Sequence, residues 1–256
     1  MKPFLSIKNL NVQFAKTYAV KDVSFDMYPG EVLAIVGESG SGKTTLAQAL
    51  LRLQKANTSG EIWFENENLL PLCEKALQQI RGKKIGMIFQ DPMTSLNPTM
   101  RVGKQIAESL QLHRNLNRTE IRNTVLELLT AVGIAQPELR IDQYPHEYSG
   151  GMRQRAMIAI AIACQPTLLI ADEPTTALDV TIQTQILRLL KDLNQTRGTA
   201  IMLITHDLGV VAGIADRVIV IHQGHIVETA ATDDLFYHPQ HAYTQSLLAS
   251  LRRKSQ

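Results

Sequence analysis

The run Gly37-Glu38-Ser39-Gly40-Ser41-Gly42-Lys43-Thr44 constrains this chain more than any other feature. It follows five apolar residues, Val32-Leu33-Ala34-Ile35-Val36, and precedes helix-forming residues over 44–53. Apolar continuity over strand length marks a strand buried on both faces, as in a parallel sheet covered by helices. Glycines let backbone N–H groups converge on phosphate oxygens without side-chain obstruction, and the helix that follows points its positive end at the same place. The spacing is that of a phosphate loop, GxxxxGK[ST]. Lys43 then supplies a point charge at the β- and γ-phosphates, and the Thr44 hydroxyl can ligate Mg²⁺. Thr45, the next residue of the helix, belongs to the same nucleotide-binding set.

Short buried runs recur at residues 85–89, 168–171, 200–204 and 218–221, with helical patterns between several of them. Strands alternating with helices favour an α/β fold with a mainly parallel sheet. Near the start, Leu10, Val12 and Phe14 alternate with polar residues, so strands are expected there too. Residues 92–162 lack a strong strand signal. Within them Ile121, Val125, Leu128, Leu129 and Val132 share one helical face, and Asn117 with Glu120 resembles a capping box. The expected division is therefore a core over residues 1–91 and 163–230, a helical lobe over 92–162 and a short tail over 231–256. In the tail, Tyr243, Leu247, Leu248 and Leu251 fall at helical spacing, and Arg252-Arg253-Lys254 reads as a solvated basic end.

Composition excludes several classes. The 256 residues carry 26 Lys plus Arg against 24 Asp plus Glu, a net charge of +2, which argues against a chain whose main task is gripping nucleic acid. The longest apolar run, residues 156–164, ends at Gln165-Pro166, well short of the ~20 residues a bilayer span needs. Met1-Lys2-Pro3-Phe4 lacks the apolar core of a secretion signal. Cys73 and Cys164 are the only cysteines; Cys164 reads as a small core residue and Cys73 as exposed, with no disulfide framework and no zinc or iron–sulfur spacing. The chain reads as cytosolic and reduced.

A second chemical signal is Leu168-Leu169-Ile170-Ala171-Asp172-Glu173, a buried strand ending in two carboxylates. Beside a phosphate loop, Asp172 is placed to hold the metal and Glu173 to polarise the attacking water. A third is Tyr148-Ser149-Gly150-Gly151-Met152-Arg153-Gln154-Arg155, a glycine turn feeding an apolar helix and hence a second anion site.

This third run resembles the signature sequence of the ATP-binding-cassette ATPases, usually LSGGQ. Gln90, Ala177-Leu178-Asp179 and His206 match that family's Q-loop, D-loop and switch histidine in order and approximate spacing. The resemblance covers nearly the whole chain and implies a P-loop NTPase (RecA-like) core, with a parallel sheet, flanking antiparallel strands and an inserted α-helical subdomain. Two departures stand out: Tyr148 where leucine is common and Met152 where glutamine is common. Ser149, Gly150 and Gly151, which would meet phosphate, are intact. The methionine variant resembles the peptide and nickel importer branch, as do Gln90-Asp91-Pro92-Met93-Thr94-Ser95-Leu96-Asn97-Pro98 and His238-Pro239-Gln240-His241-Ala242-Tyr243-Thr244. Many members of that branch carry a cysteine cluster after the last motif; it is missing here, so no iron–sulfur site is expected.

The resemblance implies that Mg²⁺ and ATP are bound, and that two ATPase units sandwich two ATP molecules, each between one unit's phosphate loop and the other's Ser149-Gly150-Gly151. Glu173 is then general base or water-orienting group. His206 contacts the γ-phosphate and steadies Glu173. Gln90 joins Thr44 and Asp172 at the metal, and Asp179 joins the nucleotide set. Phe14, with Tyr18 as its alternative, stacks on adenine. The implied partners are two transmembrane permease subunits, a second ATPase chain (the same or distinct) and a periplasmic or lipid-anchored substrate-binding protein. The implied place is the cytoplasmic face of the inner membrane, the cargo peptides or else nickel. A soluble cassette protein acting on nucleic acid or ribosomes is the competing class; such proteins usually have two cassettes or a long coiled-coil insertion, and this chain has one cassette and no long heptad run.

Overall fold

The computed structural model describes residues 2–176 and 178–254, with side chains as far as residue 250. Met1, Ala177 of the D-loop match, and the side chains of Leu251, Arg252, Arg253 and Lys254 lie outside the described residues.

In chain order the first elements are β1 (Leu5–Phe14), β2 (Thr17–Met27), β3 (Val32–Val36), α1 (Lys43–Leu50), β4 (Asn57–Phe64) and β5 (Glu67–Asn68). Next come α2 (Glu74–Gln78), β6 (Ile85–Ile88), α3 (Pro92–Ser95), α4 (Val102–His113), α5 (Arg118–Ala131), α6 (Pro137–Arg140) and α7 (Gly150–Ile162). The rest are β7 (Leu168–Asp172), α8 (Val180–Arg197), β8 (Ala200–Thr205), α9 (Leu208–Ile214), β9 (Arg217–His222), β10 (His225–Ala231), α10 (Thr232–Tyr237) and α11 (Ala242–Lys254).

The chain divides into two compact units, residues 1–77 with 200–256, and residues 78–199. In the first unit, β1 is the centre of an antiparallel sheet in the order β2-β1-β4-β5. A second sheet places β3 between β8 and β9, parallel to both, with β10 antiparallel on β9. Being central explains the unbroken apolar run of β3: all five residues are buried, as are all six of β8. The α11 side chains Tyr243, Leu247 and Leu248 pack on a cluster that includes Ala34 and Val36 of β3 and Val218 and Val220 of β9.

In the second unit β6 and β7 pair in parallel, Ile85 opposite Leu168 and Ile88 opposite Ala171. Between β6 and β7 the described residues are helices and turns only. The expected capping box of α5 is present: the Asn117 side chain accepts from the Glu120 amide at 3.0 Å, and the Asn117 amide donates to the Glu120 carboxylate at 2.7 Å. Ile121, Val125, Leu128 and Leu129 are the buried face of that helix.

Candidate nucleotide site

Gly42 is the N-cap of α1, with φ 104, and Lys43 is the helix's first residue. The amides of Lys43, Thr44 and Thr45 are the first of α1, the turn whose N–H groups have no acceptor within the helix itself. The phosphate loop thus has the backbone that its spacing predicts. A Cβ on Gly42 would lie 2.2 Å from the Ala19 carbonyl, and one on Gly37 2.1 Å from the Ile221 carbonyl. These two glycines are required by the close approach of neighbouring strands. The Gly224 amide, in the turn between β9 and β10, donates to the Ser41 carbonyl at 3.0 Å and holds the loop from outside.

Lys43 is only 4% exposed. Its ammonium donates to the carbonyls of Gly37 at 2.8 Å and Glu38 at 2.7 Å, and to the Ser41 hydroxyl at 3.4 Å, among its partners. The loop therefore carries a buried positive charge satisfied by its own backbone, poised beside the α1 amides. A phosphate is the ligand that this arrangement suits: a buried cation and the N-terminal turn of a helix at one glycine-rich loop. In the same unit Phe14 ends β1 and is 38% exposed, and Tyr18 begins the return strand at 46%. Phe14 is therefore a surface aromatic, not a core side chain. His206 is exposed immediately after β8. Its neighbours are fixed, because the Thr205 hydroxyl accepts from the Asp207 amide at 3.0 Å and Asp207 caps α9.

The second unit carries the remaining residues. Asp172 ends β7 at 1% exposure. Glu173 has φ 47, a left-handed backbone that costs a non-glycine residue about 1–2 kcal/mol. Such strain aims a side chain that an extended backbone would direct elsewhere. The Glu173 carboxylate accepts from the Gln90 amide at 3.0 Å and from the Thr176 hydroxyl at 2.9 Å. Both bonds fall on Oε2, so two of the three residues expected in catalysis, Gln90 and Glu173, meet directly; His206 is the third. Gln154, reaching from α7 at 3% exposure, donates to the Pro174 carbonyl at 2.6 Å and pins the turn that follows Glu173. Gln154 falls within the signature run and Thr176 three residues after Glu173, but their bonds at this turn come from the fold and not from either pattern. In this unit Gln90 and Asp172 offer amide and carboxylate oxygens, and in the first unit Thr44 offers a hydroxyl; each is a hard donor of the kind Mg²⁺ takes.

Ser149 caps α7, its hydroxyl accepting from the Met152 amide at 3.3 Å. A Cβ on Gly150 would meet nothing within 4 Å, so that face of the turn is open. Ser149, Gly150 and Gly151 line a cleft of about 510 Å³ with Arg140, Arg155 and Asp179. Asp179 is itself a cap, accepting from the Ile182 amide at the start of α8 at 2.9 Å. The tyrosine in place of leucine has a structural account. Tyr148 is 2% exposed and its hydroxyl donates to the Arg140 carbonyl at 2.9 Å. Burial pushes that hydroxyl up to about 12, so it stays a donor. The signature turn is thereby tied to the C-terminal end of α6.

A strand, phosphate loop and helix, with a second strand ending in a buried aspartate, define a P-loop nucleoside-triphosphatase of RecA-like fold. The capped glycine turn on α7 narrows the class further, and the chain belongs to the ABC transporter family, whose family model matches residues 20–176. It is 56% identical to the oligopeptide transport ATP-binding protein OppD of Bacillus subtilis (strain 168), covering 96% of this chain and 71% of that one. It is 51% identical to the dipeptide transport ATP-binding protein DppD of the same organism, covering 99% of this chain and 78% of that one. Among solved structures, the ATP-binding cassette MJ0796, captured as a dimer in a post-hydrolysis state bound to ADP and Pi, superposes with a TM-score of 0.81. That cassette is 30% identical, and the match covers 89% of this chain and 98% of the cassette.

Proposed function

We propose that this chain is the ATP-binding and ATP-hydrolysing subunit of an importer for oligopeptides or dipeptides. The relatives above carry those two cargoes in their names and neither carries nickel, so the peptide reading leads. The observation that carries the hydrolytic reading is the Glu173 carboxylate, aimed by a strained backbone and held by Gln90 and Thr176.

ATP with Mg²⁺ supplies the phosphoanhydride to be cleaved and the cation that neutralises its charge. The chain's own groups do the rest. Backbone amides at the end of the loop and the start of α1 cradle the phosphates, and Lys43 moves its donors from the Gly37 and Glu38 carbonyls toward them. Thr44, Gln90 and Asp172 give oxygens to the metal. Glu173 accepts a proton from, or orients, the attacking water, and His206 steadies the γ-phosphate. The exposed ring of Phe14 offers a stacking face to adenine. Ser149, Gly150, Gly151 and Asp179 belong to a second anion cradle in the open cleft beside α7. A cradle of that kind suits the nucleotide of a second ATPase chain, the same or distinct. The partners are completed by two permease subunits and a substrate-binding protein, at the cytoplasmic face of the inner membrane. Residues 92–162 form the lobe that meets the permease, where Met93 on α3 is 62% exposed.

The test is Glu173→Gln. General-base assistance contributes on the order of 10²–10⁴ in rate, so phosphate release is expected to fall at least about a hundredfold. ATP binding, measured by calorimetry, is expected to stay within about threefold, since the amide keeps the shape and loses only proton affinity. Ordinary turnover in this variant would overturn the assignment.

A further inference from the structure

The segment His238-Pro239-Gln240-His241-Ala242-Tyr243-Thr244 has no part in the site described so far. Its place in the fold is specific. The Tyr243 hydroxyl, in the first turn of α11, accepts a hydrogen bond from the Glu38 amide at 3.1 Å. Its ring lies on His222, the last residue of β9, with centroids 3.9 Å apart and planes at 32°. Two hundred and five residues separate the bonded partners in sequence.

The amide that Tyr243 holds shares a peptide plane with the Gly37 carbonyl. That carbonyl accepts from the Lys43 ammonium at 2.8 Å. A trans peptide is rigid and its N–H and C=O point in opposite directions, so fixing one fixes the other. Tyr243 is anchored in turn. The Glu228 carboxylate on β10 accepts from the Gln240 amide at 2.7 Å and the His241 amide at 3.0 Å, and His241 Nδ1 accepts from the Tyr243 amide at 3.1 Å. Burial keeps the Tyr243 hydroxyl protonated by raising its pKa above the ordinary value.

We propose that Tyr243 is a positioning residue for ATP binding: through the Gly37–Glu38 peptide it sets the phosphate loop and Lys43 in a receptive arrangement before the nucleotide arrives. The inference deepens the ATPase reading and rests on it. Losing the hydroxyl leaves the Glu38 N–H without its partner and lets the peptide rotate, which lowers affinity and leaves the water-activating groups untouched.

The experiment compares the full chain with Tyr243→Phe and with Tyr237→Phe, a control on an exposed tyrosine of α10. One neutral hydrogen bond corresponds to a change of about fivefold, so Tyr243→Phe is expected to raise the KM for ATP about that much. Its kcat is expected to match wild type and its thermal midpoint to fall by no more than about 2–4 °C, the share of one hydrogen bond, while Tyr237→Phe is expected to match wild type throughout. A wild-type KM in Tyr243→Phe overturns the proposal. So does a joint fall in midpoint and kcat at unchanged KM, the mark of a packing role. A second measurement needs no variant: hydrogen exchange of the Glu38 amide in the wild-type chain is expected to be slow, and rapid exchange overturns the contact. A wild-type chain that hydrolyses no ATP ends the ATPase reading instead, while the Glu38 exchange still decides the contact.

Discussion

At the residue scale, Gly42 and Gly40 stand two positions apart in one loop and answer to different constraints. Both have left-handed backbones, φ 104 and φ 79. A Cβ on Gly42 runs into the Ala19 carbonyl, while one on Gly40 meets nothing within 4 Å. Gly40→Ala is therefore expected to cost about 1–2 kcal/mol, the strain of a left-handed alanine alone. Gly42→Ala must in addition push β2 away from the loop, and is expected to cost more than about 2 kcal/mol. Urea unfolding of the two variants measures the difference, and equal losses would rule out the packing account. The motif itself was legible in the sequence because its spacing is local. The division of labour among its glycines was not, since Ala19 and Ile221 come from distant strands. Glu173 follows the same pattern. Its place after a buried strand was readable, but its left-handed backbone and its bond to Thr176 belong to the fold.

At the scale of elements, the helix signals with chemical caps were the most readable. Asn117 and Glu120 satisfy each other's orphan amides at the start of α5. Asn117→Ala is expected to lower stability by about 1 kcal/mol and Asn117→Ser by only a few tenths, since serine keeps a cap acceptor. Chemical denaturation checks the ordering, and alanine as benign as serine would show that this cap does not matter. Element ends were less legible. Residues 44–53 contain helix formers to the last, yet α1 stops at Leu50 because Arg52 turns the chain with φ 49. Cys164, read as part of an apolar helical run, lies beyond the end of α7 at Ile162 and is only partly buried. Its thiol donates to the Ser109 carbonyl of α4 at 3.4 Å. Cys73 is exposed, as expected. The buried face of α11 followed from its period, but the reach of Tyr243 to Glu38 could not be read from any local pattern.

At the scale of the whole molecule, a net charge of +2 sits on a chain that handles anions by backbone amides, one buried lysine and helix ends. No helix among the described residues is long and apolar enough to cross a membrane, and the proposed role couples this chain to others through nucleotide-dependent shape. That makes nucleotide affinity a property of the folded chain as a unit. The amide cradle exists only when β3, the loop and α1 are in place, so ATP binds the native state and not the unfolded one. Linkage then gives about 2.7 kcal/mol of added stability at ATP one hundredfold above its Kd. For a chain of this size each kcal/mol moves the midpoint by about 2–4 °C, so Mg²⁺ with ATP is expected to raise it by about 5–10 °C. Differential scanning calorimetry with and without nucleotide reads this directly. Lys43→Ala is expected to abolish the shift, each variant being compared with its own nucleotide-free scan, because removing the ammonium also deprives the Gly37 and Glu38 carbonyls of a donor. Glu173→Gln is expected to retain the shift in full, since the proposed role of its carboxylate is in turnover and not in binding. A Lys43→Ala chain that shifts as far as wild type would take Lys43 out of the nucleotide set, and a Glu173→Gln chain that loses the shift would move Glu173 from catalysis to binding.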